Sequence, residues 1–203
     1  MKKILTFIIS SALLLSALSV NTFAAAKTHT VKKGDSMWKI AVKYQVGLSE
    51  LKSANPQIKN PALIYPGQVI TIPTLDSSVS ESESEVVRLV NIERSKNGLS
   101  ELKADWELSR VARYKSQDMK DKNYFSHTSP TYGSPFQMMK SFGISYKTAG
   151  ENIAKGYATP ESVVKGWMNS PGHRANILNK SFTHIGVGYV QSGNYWTQMF
   201  ISK

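Results

Sequence analysis

Any reactive centre in this chain has to be built without cysteine. The 203 residues contain none, which excludes a disulfide scaffold, a cysteine nucleophile, a Cys-ligated zinc site and an iron–sulfur cluster. Histidine and glutamate remain as the groups able to move protons or hold a metal. Four segments stand out: FSHTSP at 125–130, AGENIA at 149–154, WMNSPGHRANIL at 167–178 and HIGVGYV…YWTQMF at 184–200. None of them is a local H-E-x-x-H metal motif or a G-x-S-x-G nucleophile elbow.

The elements that must position these segments belong to a basic, export-competent chain. Lys2 and Lys3 precede a mostly apolar run from Ile4 to Leu18, broken only by Thr6, Ser10, Ser11 and Ser16. Ala24, Ala25 and Ala26 follow as small residues suited to a signal peptidase. The run is short for a membrane span of about 20 residues, so residues 1–26 are expected to be a cleaved signal peptide. No later run approaches a transmembrane length, and no anchoring tail is expected at the C-terminus. The 25 basic and 14 acidic residues give +11, which becomes +9 without the two leader lysines. A 41% apolar content with 10% aromatics is that of globular domains, which argues against wholesale disorder.

Charge divides the mature chain into three blocks. Residues 27–75 carry +5, residues 76–85 (DSSVSESESE) carry −4, and residues 86–203 carry +8. The acidic block has one apolar residue in ten, so it reads as a linker, with its last residues able to begin the next helix.

The first block reads as a small βααβ unit. Thr28–Lys32 alternates like a strand, and Lys33-Gly34-Asp35-Ser36 turns into a helix capped by Asp35 or Ser36. Met37, Ile40, Ala41 and Tyr44 keep helical spacing, with Trp38 assigned to the core and Gly47 to the helix end. Ser49–Ala54 forms a second short helix, and Gln68–Ile72 returns as a strand. HTVKKGDSMWKIAVKY, LSELKSANP and LIYPGQVITIP, in that order, resemble a complete LysM domain over Thr28 to Pro73, with Met37 where leucine is usual. The resemblance implies binding of peptidoglycan or a related N-acetylglucosamine glycan in a shallow groove. Carried onto this chain, the groove consists of Gly34, Asp35, Ser36 and Met37 facing Pro61, Ala62, Leu63 and Ile64.

The second domain, 86–203, combines helices with a C-terminal hairpin. Val86, Leu89 and Val90 mark a first helix, and Asp105 caps a second with Leu108, Val111, Ala112 and Met119 on one face. Ser134–Phe142 is a third, and Thr159-Pro160 starts a fourth that runs to about Ser170. Ile185–Val190 and Tyr195–Ile201 alternate as strands about a Gln-Ser-Gly-Asn turn. The fold class is α+β. The four segments together resemble the bacterial, extracellular branch of the CAP (SCP/PR-1-like) superfamily from Val86 to Ile201, which implies an α-β-α sandwich with a polar cleft. His127 and Glu151 are carried onto that cleft. Eukaryotic members complete a tetrad with a Glu and a His whose places here hold Ser170 and Tyr195. The bacterial pattern offers His173 instead, giving a cleft of His127, Glu151 and His173.

Three readings of that cleft follow. The three side chains could ligate a divalent metal, zinc being the natural choice, although spacings of 24 and 22 residues form no local motif. A hydrolase would use His127 as base, Glu151 to orient it, and Ser126 or Ser170 as nucleophile. A polar network holding loops together needs neither. Catalytic residues are therefore unassigned, and whether the chain is an enzyme stays open at this point, with the non-catalytic reading preferred. Other features read as structural: Trp106, Trp167 and Trp196 as core, Arg174 and Asn176 as braces of a 170–178 loop, His184 as packing, and Lys115, Lys120 and Lys122 as one solvated face. The basic charge matches anionic wall polymers. Nucleic acid is excluded by export and by the lack of an arginine cluster. The expectation is a secreted, cell-wall-associated protein in which LysM tethers and CAP acts as a ligand-binding or interaction module, with a role in envelope or spore-coat assembly. The alternative is a wall-active or peptide-directed hydrolase.

Overall fold

The structure is a computed structural model that describes residues 27–203; the expected signal peptide at 1–26 lies outside the described residues. The first domain runs β1 (Thr28–Thr30), α1 (Met37–Tyr44), α2 (Leu48–Ser53) and β2 (Val69–Thr71), the expected βααβ order. β1 and β2 pair antiparallel with His29 opposite Ile70. Ser36 caps α1 by accepting the Lys39 amide. The helix stops at Gln45, whose φ of 54° is left-handed. Gly47, expected at this end, instead precedes α2 as its N-cap.

Met37, Ile40 and Ala41 pack with Val31, Leu51, Ile70 and Ile72. Trp38 does not join them and is 63% exposed. One residue along a helix is a turn of about 100°, which swings Trp38 off the Met37–Ile40–Ala41 stripe. Buried Asn55 supplements this thin core. Its amide donates to the Leu51 and Thr71 carbonyls, and its own carbonyl accepts the Thr71 N–H.

The acidic block is not an extended spacer. It forms the first half of α3 (Ser77–Lys96), with Asp76 as the cap. Helical spacing puts Val79, Glu83, Val86 and Val90 on one face. Glu83 is buried because Arg113 grips both of its oxygens at 2.8–2.9 Å and the Tyr189 amide donates to it at 3.0 Å.

The second domain continues with β3 (Lys103–Ala104), α4 (Trp106–Asp121), α5 (Pro135–Ser141), β4 (Thr148–Lys155), α6 (Pro160–Met168), α7 (Pro171–Ile177), β5 (His184–Val190) and β6 (Tyr195–Ser202). The sheet order is β3-β5-β6-β4, antiparallel except for β3 with β5. One face packs against α4 and α5 through Leu108, Val111, Met138, Met139 and Met199. The other packs against α3, α6 and α7 through Val86, Val90, Trp167, Ile177, Trp196 and Phe200. The α-β-α sandwich is therefore present, and β6 is buried at all eight positions. Trp167 and Trp196 fill the core, whereas Trp106 at the start of α4 is only half-buried. Segment 170–178 is a helix rather than a loop, opened by Pro171 at its first position.

Two glycines set the depth of the α4 layer. A Cβ at Gly186 would lie 2.4 Å from the Leu108 carbonyl carbon and the Ser109 nitrogen. One at Gly188 would lie 2.1 Å from Arg113 N and 2.2 Å from Ala112 C. The Ser116 hydroxyl then reaches the Gly188 carbonyl at 3.0 Å. Because the atoms in the way are helix backbone, Gly188→Ala is expected to lift α4 and destabilise the domain by about 3 kcal/mol or more, read as a lower urea midpoint at unchanged slope.

Candidate functional site

In the first domain the expected groove loops are only partly on the surface. Gly34, Asp35 and Ser36 occupy a turn with Gly34 at φ 90°. Asp35 accepts from the Lys32 amide at 2.8 Å and contacts His29 Nε2 at 2.8 Å. These bonds hold its carboxyl below the usual range. Met37 is turned into the core, so its side chain is not on the surface. On the facing loop Ala62 and Leu63 are exposed while Pro61 and Ile64 are half-buried. Tyr65, just beyond, is 59% exposed. The segments leading into the two loops are joined where the Gly67 amide donates to the carbonyl of Val31, just after β1, while the Asp35 amide closes its own turn on the Lys32 carbonyl.

In the second domain the residues converge on β4, the edge strand, which the sequence reading did not assign. Successive strand residues point to opposite faces. Glu151 faces the segment after α4, where one of its oxygens meets His127 Nδ1 at 2.7 Å. Asn152 faces α7, donating to the His173 carbonyl at 3.1 Å and to Gln198 Oε1 at 3.0 Å. Asn176 closes the arrangement by donating to Glu151 O and Asn152 Oδ1. Asn176 thus braces α7 against β4, whereas Arg174 is exposed. His184 lies at the far end of β5, bonded to Thr183, and is not part of the cleft.

The His127 segment is held by two residues, one that sequence reasoning misplaced and one that it missed. Lys115, expected on a solvated face, is fully buried. Its ammonium donates to Ser126 O at 2.7 Å, His127 O at 2.9 Å and the Tyr124 hydroxyl at 3.1 Å. One turn on, Asp118 accepts from the hydroxyls of Tyr124, Ser129 and Thr131 at 2.6–2.7 Å. The signal was available: Lys115 lies at helical spacing within the stripe of Leu108, Val111, Ala112 and Met119, where an apolar residue is normal.

Electrostatics follow from burial. The Glu151 side chain is 2% exposed. Burial raises its carboxyl above the usual range, against the lowering effect of the His127 bond and the Lys115 charge. Its second oxygen is buried with no hydrogen-bond partner among the described residues. Burial lowers Lys115. Burial also opposes the Asp118 carboxylate, but the Thr131, Tyr124 and Ser129 hydroxyls outweigh it and keep that carboxyl low. His173 is lowered, by burial first and by the charge of His127 second.

With Glu151 ionised, a neutral His127 that donates its Nδ1–H to the carboxylate would present Nε2 of its half-exposed ring as an acceptor. That is a base-and-orienter pair. No hydrogen bond joins the Ser126 or Ser170 hydroxyl to His127, and Ser126 Oγ instead accepts the Thr128 amide. Among the described residues no three His, Asp or Glu side chains gather closely enough to hold a metal ion. His127 and Glu151 thus form a hydrogen-bonded dyad, and His173 lies close enough to feel the charge of His127.

Comparison with known proteins matches this architecture. Residues 87–201 match the cysteine-rich secretory protein (CAP) family, and residues 29–73 match the LysM domain. The chain belongs to the CAP family. Its relatives include uncharacterized protein YkwD of Bacillus subtilis, 58% identical over 178 residues, or 88% of this chain and 69% of YkwD. A solved extracellular SCP-domain protein from Bacillus anthracis is 37% identical with a TM-score of 0.60, covering 68% of this chain and 47% of that one. The spore coat assembly protein ExsA of Bacillus cereus is 52% identical over 48 residues, 24% of this chain and 8% of ExsA. This chain therefore spans about half the length of its solved SCP-domain relative. No helix among the described residues is long and apolar enough to cross a membrane.

Two outcomes test the CAP cleft. Burial and the His127 charge disfavour the imidazolium of His173, so the stability it contributes is present above the ordinary value of 6.5 and is lost as pH falls below it. In an NMR titration His173 should protonate below 6.5, and His127→Ala should move it part of the way back up. Lys115→Met keeps the stem and removes the ammonium, leaving two carbonyls unpaired. It should cost about 1–3 kcal/mol and speed amide exchange across residues 124–131.

Proposed function

We propose that this is a secreted, cell-wall-associated protein. Its LysM domain binds peptidoglycan or a related N-acetylglucosamine glycan, and its CAP domain presents the His127–Glu151 cleft as a ligand-binding or interaction module. The observation that carries the reading is the pair of adjoining surface loops around Gly34–Ser36 and Pro61–Tyr65 on a LysM fold. An uncharged N-acetyl sugar is held by backbone hydrogen bonds and a small apolar contact, and these loops offer both. Exposed Trp38, Leu63 and Tyr65 add apolar surface on the same domain. Tethering raises the concentration of the CAP domain beside wall-bound partners. The likeness of one segment to a spore coat assembly protein supports a place in envelope or coat assembly. The +9 charge of the mature chain favours anionic wall polymers as additional partners.

A second reading rests on one observation, the buried Glu151 that orients His127. A wall-active or peptide-directed hydrolase would use His127 Nε2 as its base. The absence of a hydroxyl bonded to His127 favours the binding role.

The protein is expected to sediment with purified peptidoglycan, and deletion of residues 27–75 to abolish this. The CAP domain keeps its three core clusters in that deletion, so sedimentation that survives it overturns the tether. His127→Ala and Glu151→Ala should leave wall-degrading and peptidase readouts at background, level with the parent; a parental activity lost in both variants establishes the hydrolase.

A further inference from the structure

The LysM and CAP domains meet at a built contact that neither domain needs for its own core. Arg110 of α4 grips Glu50 of α2, with Nε to Oε1 at 2.6 Å and Nη2 to Oε2 at 3.0 Å. The same Nη2 donates to the Ser49 hydroxyl at 2.8 Å. Both side chains are withdrawn from water, Arg110 to 22% and Glu50 to 29% exposure. The guanidinium also lies over the rings of Tyr114 and Phe142, 5.4 and 5.1 Å from their centroids. A two-pronged pair stacked on aromatics is far more directional than an exposed lysine contact.

Three further features make the contact specific. A Cβ at Gly47 would lie 2.0 Å from Glu50 Oε2 and 2.1 Å from Arg110 Nε. Its φ of −68° is open to any residue, so a side chain here would be opposed not by backbone conformation but by the tips of the two clamp side chains, which it would push aside. The connection is short: Ile72 is buried in the LysM core, and Asp76 already caps α3, which leaves Pro73, Thr74 and Leu75 between the bodies. Beside the clamp lies an interdomain cleft of about 480 Å³ lined by Val46, Leu75, Val79, Tyr114 and Tyr189.

We propose that the LysM and CAP domains are docked as one rigid unit through the Glu50–Arg110 clamp, so that a glycan held by LysM sets the position of the CAP cleft. The docking stands on its own; its consequence for the cleft rests on the glycan reading. Two placements give it meaning. The groove turn precedes the N-terminus of α1, whereas the docking corner, Gln45 to Glu50, follows its C-terminus about 12 Å away. Docking therefore leaves the groove uncovered. On the CAP side α4 serves both sites. Arg110, Arg113, Tyr114 and Gln117 form the stripe toward LysM, and Lys115 and Asp118 form the neighbouring stripe that holds the His127 segment. One helix thus joins the tether to the cleft.

The missing cysteines give a direct test. Lys59→Cys and Lys180→Cys, both exposed and outside either site, accept one spin label on each domain of the full chain. Electron–electron distance measurement should give one narrow distribution. Arg110→Ala, Glu50→Ala and Gly47→Ala should each broaden it to a spread on the order of 10 Å, the reach of a three-residue tether. The charge swap Glu50→Arg with Arg110→Glu should narrow it again. A broad distribution in the parent, or a narrow one that persists in Arg110→Ala, overturns the proposal. Circular dichroism of each variant verifies that its domains remain folded, and a loss of signal limited to Arg110→Ala shifts the decision to Gly47→Ala and the swap. Sedimentation with peptidoglycan is read separately: Arg110→Ala should still bind. Failure of the parent to sediment defeats the glycan reading and leaves the docking result standing.

Discussion

Helix α4 lies on strand β5 with nothing but hydrogen atoms between them at Gly186 and Gly188. That approach fixes the depth of one whole layer of the sandwich, and the rest of the molecule is referenced to it. From this helix Arg113 reaches Glu83 and anchors α3, Ser116 reaches β5 and Thr197 of β6, and Leu108, Val111 and Met119 join the core. A buried ion pair such as Glu83–Arg113 is tolerable only with every lone pair engaged, and here the Tyr189 amide supplies the remaining bond. Moving α4 outward by even part of a methyl group would break several of these contacts together, because close-packed interiors do not deform smoothly.

The polar interior is organised around the same helix. Lys115 and Asp118 are opposite charges on adjacent turns, and each is satisfied mainly by the chain between 124 and 131 rather than by the other. A loop that would otherwise be free is thereby made part of the core, and His127 gains a fixed backbone beneath an exposed ring. Glu151 comes from the opposite direction, on an edge strand buttressed by Asn152, Asn176 and Gln198. Two independently braced supports meeting at one 2.7 Å bond make a preorganised site. This cysteine-free CAP domain fixes its cleft by hydrogen bonding alone.

Much of the local structure was legible. Ser36, Asp105, Ser134 and Thr159 all cap helices through their own oxygens, and the C-terminal hairpin follows from alternation. The differences have one kind of cause. Trp38 is exposed, Lys115 is buried and Glu83 is buried because each owes its position to a partner or stripe outside its local composition. The acidic block reads as solvated by charge count, yet helical spacing brings one carboxylate of its four to an arginine 30 residues away. Strand β4 escaped notice because GENIA lacks alternation: as an edge strand it buries Glu151 and Asn152 on both faces through polar partners. The G-x-G of HIGVGYV was visible from the start, and a glycine pair in a strand signals close backbone approach.

The sequence by itself determined the two domains, their order, most of their helices, the C-terminal hairpin and the residue types from which any chemistry must come. These follow from local rules of capping, spacing and turn formation, which act over a few residues. Only the tertiary structure decided which charges lose their water: Lys115 beneath His127, Glu83 against Arg113, and Glu50 against Arg110. Such pairings join residues 30 to 60 apart or place a lone ammonium in a cage of carbonyls. Their existence depends on burial, and burial is a property of packed layers rather than of any segment read alone.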